Sequence, residues 1–295
     1  MYQNNEFVAE KVFQPLPVDK QSNKYYVYGK DNLRVDDDER RPGAQSNEIT
    51  WNLSTVPYFA DGHGLMSYIP DESRDNADAA LDLDTDETVQ LTEKIFLNRE
   101  ASLVAQLVAG MSPTDLSANA YAASWDKDTV DPIKVIDAAK ETVILGCGKK
   151  PNVALMSRPV FRGVRNNLLV KNRVGGALNG VDSSLITKQQ LATLLEVDEL
   201  IVADAIKLTS AEGQTDVADY VWGKSALLFY RPPSPGKRTV ALGYQMTWNT
   251  GRLGSLVYRG RSDKRHSDWI EVMRYYDEKI VSAGAGVMWT NAVSA

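Results

Sequence analysis

Thr85-Asp-Glu87-Thr-Val89-Gln-Leu-Thr-Glu-Lys-Ile95-Phe96-Leu-Asn-Arg-Glu-Ala-Ser-Leu103-Val104-Ala-Gln-Leu107-Val108-Ala109 runs for 25 residues without a glycine or a proline. Val89, Phe96, Leu103 and Leu107 recur at helical spacing, and Ile95, Val104 and Val108 widen the stripe. Asp84 with Glu87 three residues on resembles a capping box, and Gly110 and Pro113 are the stop signals. At 1.5 Å per residue such a helix spans ~40 Å, long enough to be the spine of a domain.

Upstream of this helix the chain is extended and polar. Up to Val18 it reads as an arm, with Pro15 and Pro17 blocking helix and no periodic pattern. Lys24–Tyr28 and Glu48–Val56 read as strands, the second alternating Ile49, Trp51 and Leu53 with polar residues. The connection between them, Gly29 to Asn47, is charged and 19 residues long. A two-stranded hairpin is marginal in water, so this projection is expected to lie on a partner surface. Downstream the pattern is α/β. Asp131-Pro132 starts a helix that Gly146-Cys-Gly148 stops, and Asn152–Met156 is a short buried strand. Ser157-Arg-Pro159 opens another helix, Thr187 with Gln190 is a second capping box, and Glu199–Ala203 is a strand. Further strands are expected at Ala226–Tyr230, Thr239–Trp248, Ser255–Arg259 and Trp269–Val281.

Composition narrows the function classes. The chain has 295 residues, 33 Lys+Arg against 39 Asp+Glu, and 43% hydrophobic residues, which fits one large or two smaller globular domains. The single cysteine, Cys147, cannot form an internal disulfide. Met1–Glu10 is polar and acidic, unlike a secretory signal, and no stretch of about 18 apolar residues offers a membrane span. The net charge of −6 is unlike that of a dedicated nucleic-acid binder. Two histidines, His63 and His266, leave little for acid–base chemistry near neutral pH.

Four constellations could carry chemistry. Ala218-Asp-Tyr-Val-Trp-Gly223-Lys224-Ser225 matches a relaxed phosphate loop and would support a nucleotide hydrolase. Its interior is bulky, and the next segment, Ala226-Leu-Leu-Phe-Tyr230, reads as a strand rather than the helix such a loop needs. Asp82, Asp84, Asp86, Thr88, Gln90 and Glu93 fall on calcium-loop positions, but Glu87 stands where the turn requires Gly. The plainer reading is an acidic helix cap, solvated or facing an interface. Asp61-Gly-His63-Gly64 fits a flexible turn better than a ligand, and Cys147 is expected to be a small helix-end residue. No cofactor or metal is expected.

Charge is segregated. Residues 71–87 carry eight acids and one base, Arg74, whereas residues 149–173 carry seven bases and no acid. Residues 231–265 carry eight bases against Asp263 alone. Such a partition on a chain with a projecting arm suggests surfaces that meet other copies of itself.

Several segments resemble the major capsid proteins of tailed bacteriophages, which have the Hong Kong 97-type fold. They are Lys150-Pro-Asn-Val-Ala-Leu-Met-Ser-Arg-Pro-Val-Phe161, Leu191-Ala-Thr-Leu-Leu-Glu-Val-Asp-Glu-Leu-Ile-Val-Ala-Asp204, Val221-Trp-Gly-Lys-Ser-Ala-Leu-Leu228, Ser267-Asp-Trp-Ile270 and Tyr276-Asp-Glu-Lys-Ile-Val281. The resemblance covers nearly the whole chain and implies an α+β fold. Residues 1–22 would be an N-terminal arm, 23–68 an extended loop, and 69–114 with 236–282 a peripheral domain around the spine helix. Residues 115–235 with 283–295 would form the axial domain.

The implied function is structural. Copies would form hexamers and pentamers of an icosahedral head, assembled in the host cytoplasm, that encloses double-stranded DNA through weak non-specific contact. A portal and a decoration or scaffolding protein are the implied partners, with no membrane. The chain enters the arm directly, so a separate scaffolding protein or none is implied. An encapsulin-type compartment shell is the nearest alternative. Trp51, Tyr58 and Phe59 are expected as loop anchors on a neighbour, because aromatic residues are favoured at interfaces. Arg40 and Arg41 are expected to pair with Asp82, Asp84 and Asp86 across a subunit boundary.

Overall fold

The computed structural model describes residues 4, 6–36, 38–43, 45–49, 53–76, 82–116, 124–175, 186–236, 239–249 and 256–294. In chain order the elements are α1 (Ala9–Val12), β1 (Gln14–Val18), β2 (Ser22–Tyr28), β3 (Leu53–Phe59), β4 (Asp61–Pro70), α2 (Asp71–Asp75) and α3 (Leu83–Met111). Then come β5 (Thr114–Asp115), α4 (Pro132–Cys147), β6 (Val153–Ser157), α5 (Arg158–Asn166), α6 (Leu168–Gly175), α7 (Lys188–Leu194) and β7 (Glu199–Ala203). The rest are β8 (Ile206–Leu208), β9 (Ala218–Tyr220), β10 (Ala226–Phe229), β11 (Gly243–Trp248), β12 (Leu256–Ser262), β13 (Ser267–Ile280) and β14 (Gly286–Thr290).

Two sheets organise the chain. In the first, β13 pairs antiparallel with β4 along one side and with β12 and β11 along the other, and β1 adds to β11 in parallel. The second has the order β5-β14-β10-β6-β7, and its central strands are wholly buried. Helices α4 to α7 cover one face of this second sheet through Ile133, Ile136, Val160, Val164 and Leu191. Helix α3 serves both sheets. Leu91 and Ile95 pack on Ile69, Ile270 and Val272 of the first, and Leu103 and Leu107 join the core against Leu155, Leu227 and Phe229 of the second.

Local sequence explains the element ends, with some revisions. The cap of α3 is Asp82, whose carboxylate accepts the Thr85 N–H at 3.2 Å; the Asp84–Glu87 pair lies two residues too late. The helix also passes through Gly110 and ends at Ser112, in the left-handed region (φ 48°) before Pro113. Gly110 is a packing residue, since a Cβ there would lie 2.4 Å from Ile280 Cδ1. Helix α4 is capped by Asp131 and stopped by Gly148 (φ 72°), and the Thr187–Gln190 capping box opens α7 as expected. The turn expected at Asp61–Gly64 is instead strand β4. Gly62 and Gly64 lie under Tyr275 and Met273, whose side chains would crowd any Cβ there, and His63 stacks on Tyr276 at 4.2 Å.

The N-terminal segment departs most from expectation. It is not an arm without a core: Val8, Ala9, Val12 and Phe13 are buried among the chain's own α3 and second-sheet residues. One turn of helix places all four on one side. Pro15 and Pro17 then sit in β1, an edge strand, where a missing N–H is tolerated.

This segment is held by charges on α3. Glu100, fully buried, accepts the Val8 N–H and the Trp222 indole N–H, both at 2.8 Å. Its neighbour Arg99, 1% exposed, donates to Glu278 at 2.8 Å and to Glu10 at 2.9 Å. Burial lifts both Glu100 and Glu278 above the ordinary carboxylate range, against the opposing pull of their hydrogen bonds and of Arg99.

Glu100→Ala orphans two buried donors, each worth about 1–3 kcal/mol, so the urea midpoint of the unassembled subunit should fall by an amount equivalent to roughly 2–6 kcal/mol. The cluster also ties stability to pH. A carboxyl whose folded pKa is raised contributes stability that is fully present below its unfolded value, about 4.3, and is lost as pH rises through the folded value. The midpoint of the wild-type subunit should therefore decline as pH rises from about 4 through the raised pKa values, and Glu100→Gln should flatten that decline. An unchanged slope in the variant would contradict the assignment.

Candidate inter-subunit contact surfaces

Strands β2 and β3 form the expected hairpin, from Ser22 opposite Phe59 to Tyr28 opposite Leu53. Its root is fixed to the first sheet. Tyr25 and Tyr58 are buried with Leu16, Val18, Tyr244 and Met246, and the Tyr58 hydroxyl donates to the Lys20 carbonyl at 3.1 Å. Burial pushes both phenols up, helped by the nearby carboxylates of Asp277 and Asp19 respectively. Tyr58 is 6% exposed, so it anchors the hairpin to its own chain rather than to a neighbour, correcting the expectation. Phe59 points the other way, as successive strand residues must, and is 51% exposed while its N–H donates to Asp277 at 3.0 Å. Trp51 lies outside the described residues. Arg40 and Arg41 are exposed on the connection between the two strands.

The acidic segment is partly consumed within the chain. Asp82 is held below the ordinary carboxylate range by hydrogen bonds from the Thr85 hydroxyl and backbone N–H. Asp84 accepts from Arg74 at 2.8 Å, and Arg74 also reaches Asp268 at 3.2 Å. Arg261 joins Asp71 at 2.7 Å and Asp268 at 3.3 Å, and its hydrogen bond holds Asp71 below the ordinary range. Asp86 is half-buried in the first turn of α3. The Arg74–Arg261 network was missed by sequence reasoning, because Arg261 and Asp71 are 190 residues apart and only the β4–β13–β12 pairing brings them together. The calcium-loop pattern from Asp84 to Glu93 lies on the helix itself, so these residues cannot wrap an ion.

The phosphate-loop reading fails on geometry. Val221–Lys224 is a tight turn between β9 and β10, and the element after it is a strand, with no helix N-terminus to face a phosphate. Gly223 (φ 53°) makes the turn, Trp222 is buried on Glu100, and Lys224 Nζ donates to the Ser294 carbonyl at 3.0 Å. The segment closes a core instead of cradling an anion. Cys147, at the end of α4, has its thiol pushed up by burial, which disfavours the nucleophilic thiolate.

Comparison with known proteins agrees with a structural role. No protein-family model matches the chain. The major capsid protein of Burkholderia phage BcepMu is 26% identical over 245 residues, 80% of this chain and 74% of that protein. The major capsid protein of Pseudomonas phage JBD67 is 24% identical over 306 aligned positions, 100% of this chain and 94% of that protein. Among solved structures, a phage-related protein from Bordetella bronchiseptica RB50 superposes with a TM-score of 0.75 at 22% identity, covering 99% of this chain and 93% of that one. The capsid of cyanophage P-SCSP1u has the same fold, with a TM-score of 0.63 at 11% identity over 98% and 89% of the two chains. The chain thus has the α+β Hong Kong 97-type capsid fold, and its sequence is similar to the major capsid proteins of two phages.

Proposed function

We propose that this chain builds the icosahedral head of a tailed double-stranded DNA phage, its copies closing into hexamers and pentamers. The observation that carries the reading is the match to two phage major capsid proteins across 80% and 100% of this chain. Encapsulin-type shells share the fold, as the SrpI encapsulin of Synechococcus elongatus does at a TM-score of 0.56 and 14% identity. That is a likeness of fold, without the sequence relationship the phage proteins have. Electron microscopy of particles from expressing cells tests the reading. Closed shells containing nuclease-protected DNA support it, and shells loaded with protein cargo instead would favour the encapsulin alternative.

In this reading residues 1–22 are the arm and 23–68 the extended loop. Residues 69–114 and 236–282 form the peripheral domain, and 115–235 with 283–295 the axial one. Supporting the division is the pairing of β4, β11, β12 and β13 in one sheet and of β5, β6, β7, β10 and β14 in the other. Weak contact with packaged DNA, a portal, and a decoration or scaffolding protein complete the partners.

Two contacts are proposed for the loop. Phe59 packs on a neighbouring copy, and Arg40 and Arg41 approach the acidic start of a neighbour's α3 at Asp82, Asp84 and Asp86. Reversing both arginines, R40E/R41E, should abolish or distort heads while far-UV circular dichroism of the subunit stays unchanged. Normal heads from that variant would overturn the pairing. Phe59→Ser should likewise reduce head yield while shifting subunit stability by no more than about 0.5 kcal/mol, as expected of a side chain exposed in the free subunit.

A further inference from the structure

Among the described residues, nothing covers the apolar flank of the hairpin of β8 and β9. Its strands are three residues each, with Leu208 opposite Ala218 and Ile206 opposite Tyr220. Ile206 is 47% exposed, Leu208 62% and Val217 55%. Its root is well fixed. Asn4 Oδ1 accepts the Ile206 N–H at 2.9 Å, and the Val221 N–H donates to the Ala205 carbonyl at 2.9 Å. Its tip turns at Gly213 (φ 83°), and residues 211–219 are all exposed. Between Ile206 and Tyr220 the charges are Glu212, Asp216 and Asp219 against Lys207. A two-stranded ribbon with an apolar flank is marginal by itself.

Beside the root of this hairpin lies a groove of about 400 Å³ between α5, α7 and β7. Phe161, Ile186 and Val202 supply apolar lining, and Arg158, Arg165 and Lys188 supply three cations. The acids at the groove are already engaged: Glu6 pairs with Lys11, and Asp204 Oδ2 pairs with Arg158 at 2.8 Å. Two polar atoms here, Arg165 Nε and Asp204 Oδ1, are buried without a hydrogen-bond partner among the described residues.

We infer that the acidic tip of this hairpin seats in the α5–α7 groove of the next copy. The chain's own tip is exposed, so its own groove does not hold it. Nine residues separate Asp204 at the groove from Gly213 at the tip, an extended reach of at most about 30 Å. A contact from the tip of one copy to the hairpin root of the next is heterologous, and repeated around an axis it closes a ring. The inference rests on the shell reading and adds the residues that close a capsomer.

Charge reversal tests it, and the wild-type protein separates the two claims. If wild-type protein forms no closed shells, the shell reading fails and the contact falls with it. If it does, the tip variant E212K/D216K and the groove variant R158E/K188E should each lower capsomer yield at least tenfold, with circular dichroism unchanged. Mixing the two folded variants should restore hexamers containing three of each by native mass spectrometry. In an alternating ring every tip meets a groove of opposite charge, which an odd-membered ring cannot achieve, so pentamers should remain suppressed. Should R158E/K188E misfold, Lys188→Glu alone takes its place, because Lys188 is exposed in the first turn of α7. Wild-type yield from the tip variant, mixtures that stay unassembled, or mixtures that form pentamers as readily as hexamers would each overturn the contact.

Discussion

Helix α3 carries two opposite charges side by side into the interior, and the arrangement of everything around it depends on meeting them. Arg99 and Glu100 are both essentially inaccessible. Removing ions from water costs several kcal/mol each unless partners replace the lost hydration. The partners come from three distant parts of the chain: the N-terminal segment through Glu10 and the Val8 N–H, β13 through Glu278, and the β9–β10 turn through Trp222. The N-terminal residues therefore cannot peel away without stranding a buried carboxylate and weakening the hold on a buried guanidinium. Stacking supplements the hydrogen bonds, since the Arg99 guanidinium lies 5.7 Å from the Tyr276 ring centroid and Arg274 lies 4.9 Å from that of Phe96.

The same pair explains where the helix was legible and where it was not. Length, stripe and stop signals placed α3 within a few residues. Its buried face is another matter: Leu91, Ile95, Arg99, Leu103 and Leu107 recur every fourth residue, with Glu100 beside them. An apolar-only template skips a position held by Arg, so it substitutes Val89 and Val108, of which Val108 is 39% exposed. The buried turn at Ala9–Val12 was missed for a related reason. Four residues give too short a window for periodicity, and the prolines after it look like breakers until the edge position of β1 is known.

At the contact surfaces the sequence identified residue types better than directions. Tyr58 and Phe59 are adjacent aromatics, and composition cannot say which one faces the sheet. Pairing register decides it, and register is a property of two segments rather than one. Asp84 likewise looked available because the acids from 71 to 87 outnumber the single base in that segment. Arg74 takes up Asp84, and Arg261, from a strand far along the chain, takes up Asp71, so part of the block is neutralised. Charge segregation along the sequence is thus softened in space where β4 and β12 flank β13.

A shell subunit faces a conflict between folding alone and binding copies of itself, and this chain separates the two by location. Its charged partners are buried where they hold one chain together, around Arg99 and Glu100. The unburied apolar side chains Phe59, Ile206 and Leu208 sit on two-stranded ribbons whose roots are pinned, by Tyr25 and Tyr58 in one case and by Asn4 in the other. A pinned root keeps the ordering cost of each ribbon low when it meets another copy. Weak contacts of this kind assemble reversibly one at a time, and their linkage around a closed shell multiplies them. A stronger single contact would trap incorrectly closed rings before their errors could dissolve.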